Sequence, residues 1–264
     1  MADHRPPGFP SQFAADMARR RVLAGLATGI GGALLAACGK SAGAQALATA
    51  SSCPATPEEI RGPYPADGVG GHDRRINVLV MDGVERADIR ASFAGMDGEA
   101  PGVPMAVELE LVAAAAACAP LPGHAVYLWQ CDAAGDYSLY TRREVNYLRG
   151  VQVADQAGMV RFTSIVPGCY GGRAPHLHLE VFASLNAALS GAAPLLVSQL
   201  GLPQEPCDAV YADRAVYGTS AANHARWNVA RDWAFRGEGR AHMILDMAGD
   251  PATGYTSTAR ISLS

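Results

Sequence analysis

Residues 165–182 read IVPGCYGGRAPHLHLEVF, and their pattern decides the fold. From 176 onward apolar and polar residues alternate, and successive side chains of a β-strand point to opposite faces. Leu177, Leu179 and Val181 therefore share one face, and His176 and His178 share the other. Pro167-Gly168 marks the turn that delivers the chain to this strand. Working outward, similar short runs occupy 75–80, 104–112, 124–131, 159–165, 194–200 and 256–262, with DG, PG and AG turns between them. Apolar spacing of helical period is confined to weak candidates at 206–211 and 223–233, and the alanine run 113–117, placed between strands, reads as a loop. The expected fold is all-β: an antiparallel β-sandwich with long loops and an N-terminal signal segment.

The side chains before and within the 176–182 strand carry chemistry. His176 and His178 place two imidazoles on one face, and Tyr137 and Tyr170 lie in the loops that precede the strand. Two phenolates with two imidazoles make a hard, anionic N/O set. It suits ferric iron better than zinc or copper(I), which favour thiolates, or magnesium, which favours carboxylates. Phenolate ligation of iron occurs in catalase haem. A zinc hydrolase built on His176 and His178 would need a third ligand of ordinary type, and neither a third spaced His nor an HExxH run is present.

At these residues the chain resembles the intradiol ring-cleavage dioxygenases. The resemblance rests on W-Q-x-x-x-x-G-x-Y from Trp129 to Tyr137, P-G-x-Y from Pro167 to Tyr170, R-x-x-H-L-H from Arg173 to His178, and a T-P-E-x-x-x-G-P-Y segment from Thr56 to Tyr64. It extends over residues 53 to 263. It implies an intradiol dioxygenase-like β-sandwich holding non-haem Fe(3+) on Tyr137, Tyr170, His176 and His178. It further implies cleavage of a catechol-type diol by O2 to a cis,cis-muconate-type product. In the family pattern Tyr170 takes the displaceable ligand position and Tyr137 the retained one. Arg173 takes the place of the arginine that faces the substrate, Gln199 that of a glutamine near the metal, and Tyr64 that of a pocket wall. Tyr140 and Tyr147 are rival ligands that lose to Tyr137 on their distance from Trp129. Arg61 departs from the acidic residue that relatives commonly carry before GPY. Trp129 reads as core, and His72, His124, His224 and His242 as structural or exposed.

The N-terminus reads as an export signal. Arg19-Arg20-Arg21 precedes a charge-free apolar stretch of 16 residues, 22–37, too short to span a bilayer, which needs about 20 residues. It ends Leu35-Ala36-Ala37-Cys38, a lipobox-like run that makes Cys38 the candidate lipidation site. The expected organisation is a twin-arginine lipoprotein signal at 1–37, a flexible Ala/Gly/Ser-rich tether at 38–52, and a catalytic domain at 53–264. Membrane contact would then pass through the lipid anchor alone, in the cell envelope or periplasm. The chain carries a net charge of −4, and residues 1–37 hold four Arg and two Asp, so the remainder is more acidic still, against any nucleic-acid role. Setting Cys38 aside leaves five cysteines, an odd number, so at least one thiol stays free. A second reading keeps the sandwich and the anchor but gives it a non-catalytic binding role.

Overall fold

The computed structural model describes residues 53–237 and 239–264. The expected signal segment and tether, with Cys38, lie outside the described residues. The strands are β1 (Pro104–Ala113), β2 (Ala119–Pro120), β3 (Ala125–Trp129), β4 (Arg149–Val153), β5 (Met159–Ile165), β6 (His176–Phe182), β7 (Leu196–Gly201), β8 (Asp246–Asp250) and β9 (Gly254–Leu263). They form two sheets. In the first, β5 and the short β2 share one edge of β1, β9 takes the other edge, and β8 follows β9. The second has the order β4-β3-β6-β7.

The alternation read from the sequence sets the core. Met105, Val107, Leu109 and Leu111 on β1 face Val126 and Leu128 on β3 and Leu177, Leu179 and Val181 on β6, all with no exposed surface. Burying each such side chain stabilises the fold by about 1.5–3 kcal/mol. All seven residues of β6 are buried, however, so its polar face does not meet water. The outer face of the second sheet, carrying Ala125, Tyr127, Trp129, Val151 and Phe182, is covered by Ala66, Val78, Leu79 and Val84 from the N-terminal segment. Ala188, in a helix at Leu185–Leu189, closes the same layer. The two histidines therefore lie between a sheet and a lid of irregular chain.

Several sequence expectations are corrected. The sheets are not purely antiparallel: β1 and β9 pair parallel, from Met105↔Tyr255 to Ala113↔Leu263. The chain reaches β9 only after passing through the second sheet, which supplies the long crossover that parallel pairing requires. Residues 75–80 do not form a strand. The Asp73 side chain takes the Arg75 amide in a turn, and Asn77 caps a 3-10 turn at Val78–Val80 by accepting from the Leu79 amide. The fold is not free of helix either. The 206–211 candidate is a helix at Gln204–Val210, whereas 223–233 is helical only at its start, in Ser220–His224. The chain then turns, with the Asn228 carbonyl accepting from the amides of Arg231 and Asp232.

Cys53 and Cys118 form a disulfide that ties the start of the domain to the turn after β1. Closing a loop of 65 residues stabilises such a domain by about 4 kcal/mol. Cys131, Cys169 and Cys207 are free and buried. Leu179 sits at the centre of the core face of β6. Leu179→Ala is expected to cost about 2–5 kcal/mol in denaturant unfolding, whereas a loss below about 1 kcal/mol would place Leu179 on the wrong face.

Candidate metal centre

The period of β6 brings His176 and His178 side by side, 1% and 2% exposed, with their Nε2 atoms 3.0 Å apart. His176 Nδ1 lies 2.6 Å from the Ala174 carbonyl, which can only accept. Nδ1 therefore carries the proton, and the Nε2 lone pair faces inward. His178 is held by stacking: its ring lies 4.9 Å from that of Trp129 at an interplanar angle of 5°. Its Nδ1 is buried with no hydrogen-bond partner among the described residues. Burial, helped by the Arg173 charge, pushes the His176 imidazole down to about 4. Burial and the neighbouring imidazole hold His178 well below the ordinary range. Both rings are thus neutral donors at neutral pH.

The two tyrosines complete the set. Tyr137 Oη stands 3.2 Å from His178 Nε2, and Tyr170 Oη 3.4 Å from His176 Nε2. Their rings meet edge to face at 6.0 Å. Burial raises the phenol of Tyr137 well above its usual value and that of Tyr170 to about 12. Left alone, both would stay protonated, and a metal cation held between them would favour the phenolates. Two donors at right angles, each about 2.1 Å from one first-row ion, stand about 3.0 Å apart. The Nε2 separation of 3.0 Å meets that requirement. Among the described residues no group of three or more His, Cys, Asp or Glu is gathered, so this mixed imidazole and phenol set is the candidate. The thiols of Cys131 and Cys169 are raised by burial and remain protonated, with Cys131 donating to the Gly168 carbonyl.

Local chemistry positions each tyrosine. The Asp132 carboxylate accepts from the amides of Ala134 and Asp136, both at 3.0 Å, and from the Tyr147 hydroxyl at 2.9 Å, which sets the turn before Tyr137. The Gly168 amide then donates to the Asp132 carbonyl. A Cβ at Gly168 would stand 2.4 Å from the Ala133 carbonyl oxygen, so the two tyrosine-bearing loops can touch only through a glycine there. Arg149, fully buried, donates to the Ser138 hydroxyl and carbonyl and to the carbonyls of Tyr64 and Pro65. It binds the GPY segment to the Tyr137 loop.

The remaining candidates fall around the donors. Tyr64 packs 4.8 Å from the Tyr137 ring and 5.1 Å from Tyr140, forming a wall on the Tyr137 side. The rival tyrosines are engaged elsewhere: Tyr140 Oη accepts from the Ala66 amide, and Tyr147 donates to Asp132. Arg173 donates through Nη2 to Gln199 Oε1 at 2.6 Å and through Nε to Asp232 at 2.8 Å. Gln199 lies directly across from His178 in the β6–β7 register, buried within the strand. Arg61 bridges two buried carboxylates, Asp67 at 2.9 Å and Glu180. Burial lifts Glu180 to about 7, with Arg61 pulling it back. A cavity of about 290 Å³ lies past this triad, between it and Phe182 and Pro194, and none of the four donors lines it.

Sequence reasoning missed Asp232, Arg149 and the close contact at Gly62. Asp232 and Arg149 belong to no motif, and only their burial distinguishes them. The glycine of GPY was visible, but not what it touches.

Comparison with known proteins bears on the fold. Residues 83–200 match the family model described as dioxygenase. An intradiol ring-cleavage dioxygenase from Tetranychus urticae superposes with a TM-score of 0.59 at 22% identity, over 80% of this chain and 95% of that one. The fold is that of the intradiol ring-cleavage dioxygenases. The dioxygenase domain of a dioxygenase carbohydrate-binding protein fusion from Streptomyces sp. SirexAA-E shares this intradiol fold, with a TM-score of 0.50 at 24% identity over 80% of this chain and 98% of that one. A catechol 1,2-dioxygenase from Pseudomonas sp. (strain EST1001) is 38% identical over 53 residues. That match spans 20% of this chain and 18% of the curated relative.

Gly62 has φ +74°, and a Cβ there would stand 2.9 Å from His178 Cε1. Gly62→Ala is expected to push the imidazole away and lower metal stoichiometry at least about threefold with the fold intact, a loss of order 1 kcal/mol in binding. Unchanged metal content measured by elemental analysis would show that this contact does not set the ring. Tyr137→Phe should likewise lose most of the metal while Tyr140→Phe keeps it, and the reverse result would reassign the first phenol ligand.

Proposed function

We propose that this chain is a non-haem, Fe(3+)-dependent dioxygenase that opens a catechol-type ring between its two hydroxyl-bearing carbons, giving a cis,cis-muconate-type dicarboxylic acid. Both atoms of O2 enter the product, so the reaction balances without an external reductant. The observation that carries this reading is the convergence of two imidazole and two phenol donors, with 3.0–3.4 Å between neighbouring atoms, in a fold shared with intradiol enzymes. Tyr137, Tyr170, His176 and His178 would hold the ion. A ferric ion supplies Lewis acidity toward the two diol oxygens and access to O2 chemistry.

The chain's own groups do the rest. The diol must lose its protons to bind as a dianion, and a base must stand beside it. Tyr170 is the less buried of the two phenols, so its oxygen is the better placed to take a proton and turn aside. Tyr137, packed beneath Tyr64 and 2% exposed, would help hold the ion. Arg173 presents a fixed cation at the same centre, where it stabilises negative charge that develops on the ring oxygens. Tyr64 and Gly62 limit the space on the His178 side, and Gln199 ties that wall to Arg173 by donating to the Ile60 carbonyl.

Export through the twin-arginine route and lipid attachment at Cys38 belong to the same reading. The Cys53–Cys118 disulfide supports it, since such bonds persist in oxidising compartments. No helix among the described residues is long and apolar enough to cross a membrane. Cys38→Ala should move the protein out of the membrane fraction, and substituting Lys for Arg19 and Arg20 should retain the precursor in the cytoplasm. Native protein found in the soluble fraction with an N-terminus beyond Cys38 would remove the anchor from this account.

The enzymatic claim is tested by supplying iron-loaded protein with catechol and O2 and identifying the product by mass. Ring-opened dicarboxylate that carries two atoms of labelled oxygen is expected. Tight catechol binding with no O2 consumed across catechol, protocatechuate and hydroxyquinol would favour a binding module instead.

A further inference from the structure

We propose that Asp232 is the positioning residue of this site, acting through Arg173, and that Trp233 fixes the outer face of the same guanidinium. The proposal rests on the functional reading above. The Asp232 side chain has no exposed surface. Its Oδ2 accepts from Arg173 Nε at 2.8 Å and from the Ala174 amide at 2.7 Å, and its Oδ1 accepts from the Ala234 amide at 2.9 Å. A carboxylate is expensive to bury unless it is paired and hydrogen-bonded, and here one guanidinium and two amides satisfy it.

Its place in the chain gives the pairing a purpose. Asp232 comes from the turn segment after Ser220–His224, outside both sheets, and reaches the two residues that lead into β6. Ala174, whose amide it fixes, is the residue whose carbonyl sets the tautomer of His176. One carboxylate thus registers the Arg173 side chain and the backbone beside a metal ligand. Gln199 takes Nη2, and the Trp233 ring lies 5.0 Å from Cζ, close enough for a cation–π contact. Nε, Nη2 and one face of the plane are occupied, while Nη1 has no hydrogen-bond partner among the described residues. The planar fork is held so that one unused donor is presented. Lysine could not reproduce this, because an ammonium carries no such fork.

The charge pattern makes Asp232→Asn informative. Whichever way the new amide turns, its NH2 must face an N–H that now donates to a carboxylate oxygen, so the clamp cannot be kept. In iron-loaded protein of full chain length, Asp232→Asn is expected to keep iron stoichiometry and the visible band. It should lower kcat at least about tenfold with KM changed less than about threefold, the split expected when transition-state stabilisation is lost. Arg173→Ala and the double variant should be equally slow, because a residue that acts only through Arg173 has no effect once Arg173 is gone. Arg173→Lys, which keeps the charge and leaves the core untouched, should also lose most of kcat.

A readout independent of turnover is amide exchange in the metal-free protein. The Ala174 amide should exchange at least about tenfold faster in Asp232→Asn while the core amides of β1 keep their wild-type protection. Wild-type kcat in Asp232→Asn or in Arg173→Lys, or single effects that multiply in the double variant, would overturn the proposal. If Asp232→Asn does not fold, Asp232→Glu, which keeps the carboxylate but displaces it, takes its place, with the same loss of kcat expected and wild-type kcat overturning the proposal. A wild-type protein inactive on every catechol, yet with the exchange difference intact, would instead sink the functional reading and leave the clamp standing.

Discussion

The fully buried guanidinium of Arg149 is the constraint on which the candidate site depends. Its three nitrogens reach Ser138 Oγ, the Pro65 carbonyl, Tyr127 Oη, the Tyr64 carbonyl and the Ser138 carbonyl, at 2.9–3.1 Å. No carboxylate is among these five partners. The charge is accommodated by oriented carbonyl and hydroxyl dipoles, and the rigid fork geometry of arginine lets one side chain satisfy all of them. Those partners come from β3, from the GPY segment and from the loop that follows Tyr137. Without Arg149 the Tyr64 carbonyl of the covering segment and the Ser138 carbonyl of the Tyr137 loop would lose their partner, at roughly 1–3 kcal/mol apiece. The irregular lid over the second sheet is therefore fixed at its centre by a single cation.

That lid explains the electrostatics of the outer face of β6. His176, His178 and Glu180 are polar residues on a face that would ordinarily meet water, yet none is more than 2% exposed. Burial drives all three toward their neutral forms, lowering the imidazoles and raising the carboxyl. The chain answers with different partners along the strand. Arg61 enters between Glu180 and Asp67, so the basic residue before GPY acts as the counterion of a buried pair. Among the described residues no carboxylate forms an ion pair with His176 or His178, and their Nε2 atoms instead lie beside two phenols. A strand with one end paired internally and the other left rich in lone pairs is a natural place for a metal.

Much of this was legible in the sequence, and the failures have physical causes. β5 and β6 fall where alternation placed them, because each packs one face into the core and period two survives. β4 is absent from the expected strands, and its five residues, RGVQV, open on a buried arginine and a glycine rather than on a strand-like alternation. Gly150 is needed there, since a Cβ would come within 2.6 Å of Ile89. Residues 75–80 alternate like a strand, but Asp73 and Asn77 capture backbone amides and turn the chain before a ladder can form. That Tyr137, Tyr170, His176 and His178 lie together could be read from motif spacing, because β6 places two of them and the contact through Gly168 brings the tyrosine loops together. Arg149 and Asp232 could not, because a charged residue destined for burial looks the same in sequence as one at the surface.

The central claim is that two phenol oxygens and two imidazole nitrogens share one ferric ion. The visible absorption spectrum of the purified protein, taken with its iron content, tests this most directly. Phenolate bound to ferric iron absorbs in the visible by charge transfer, so the account predicts one iron per chain and a burgundy protein whose colour bleaches on reduction. A colourless protein that carries one ferric ion per chain would contradict it.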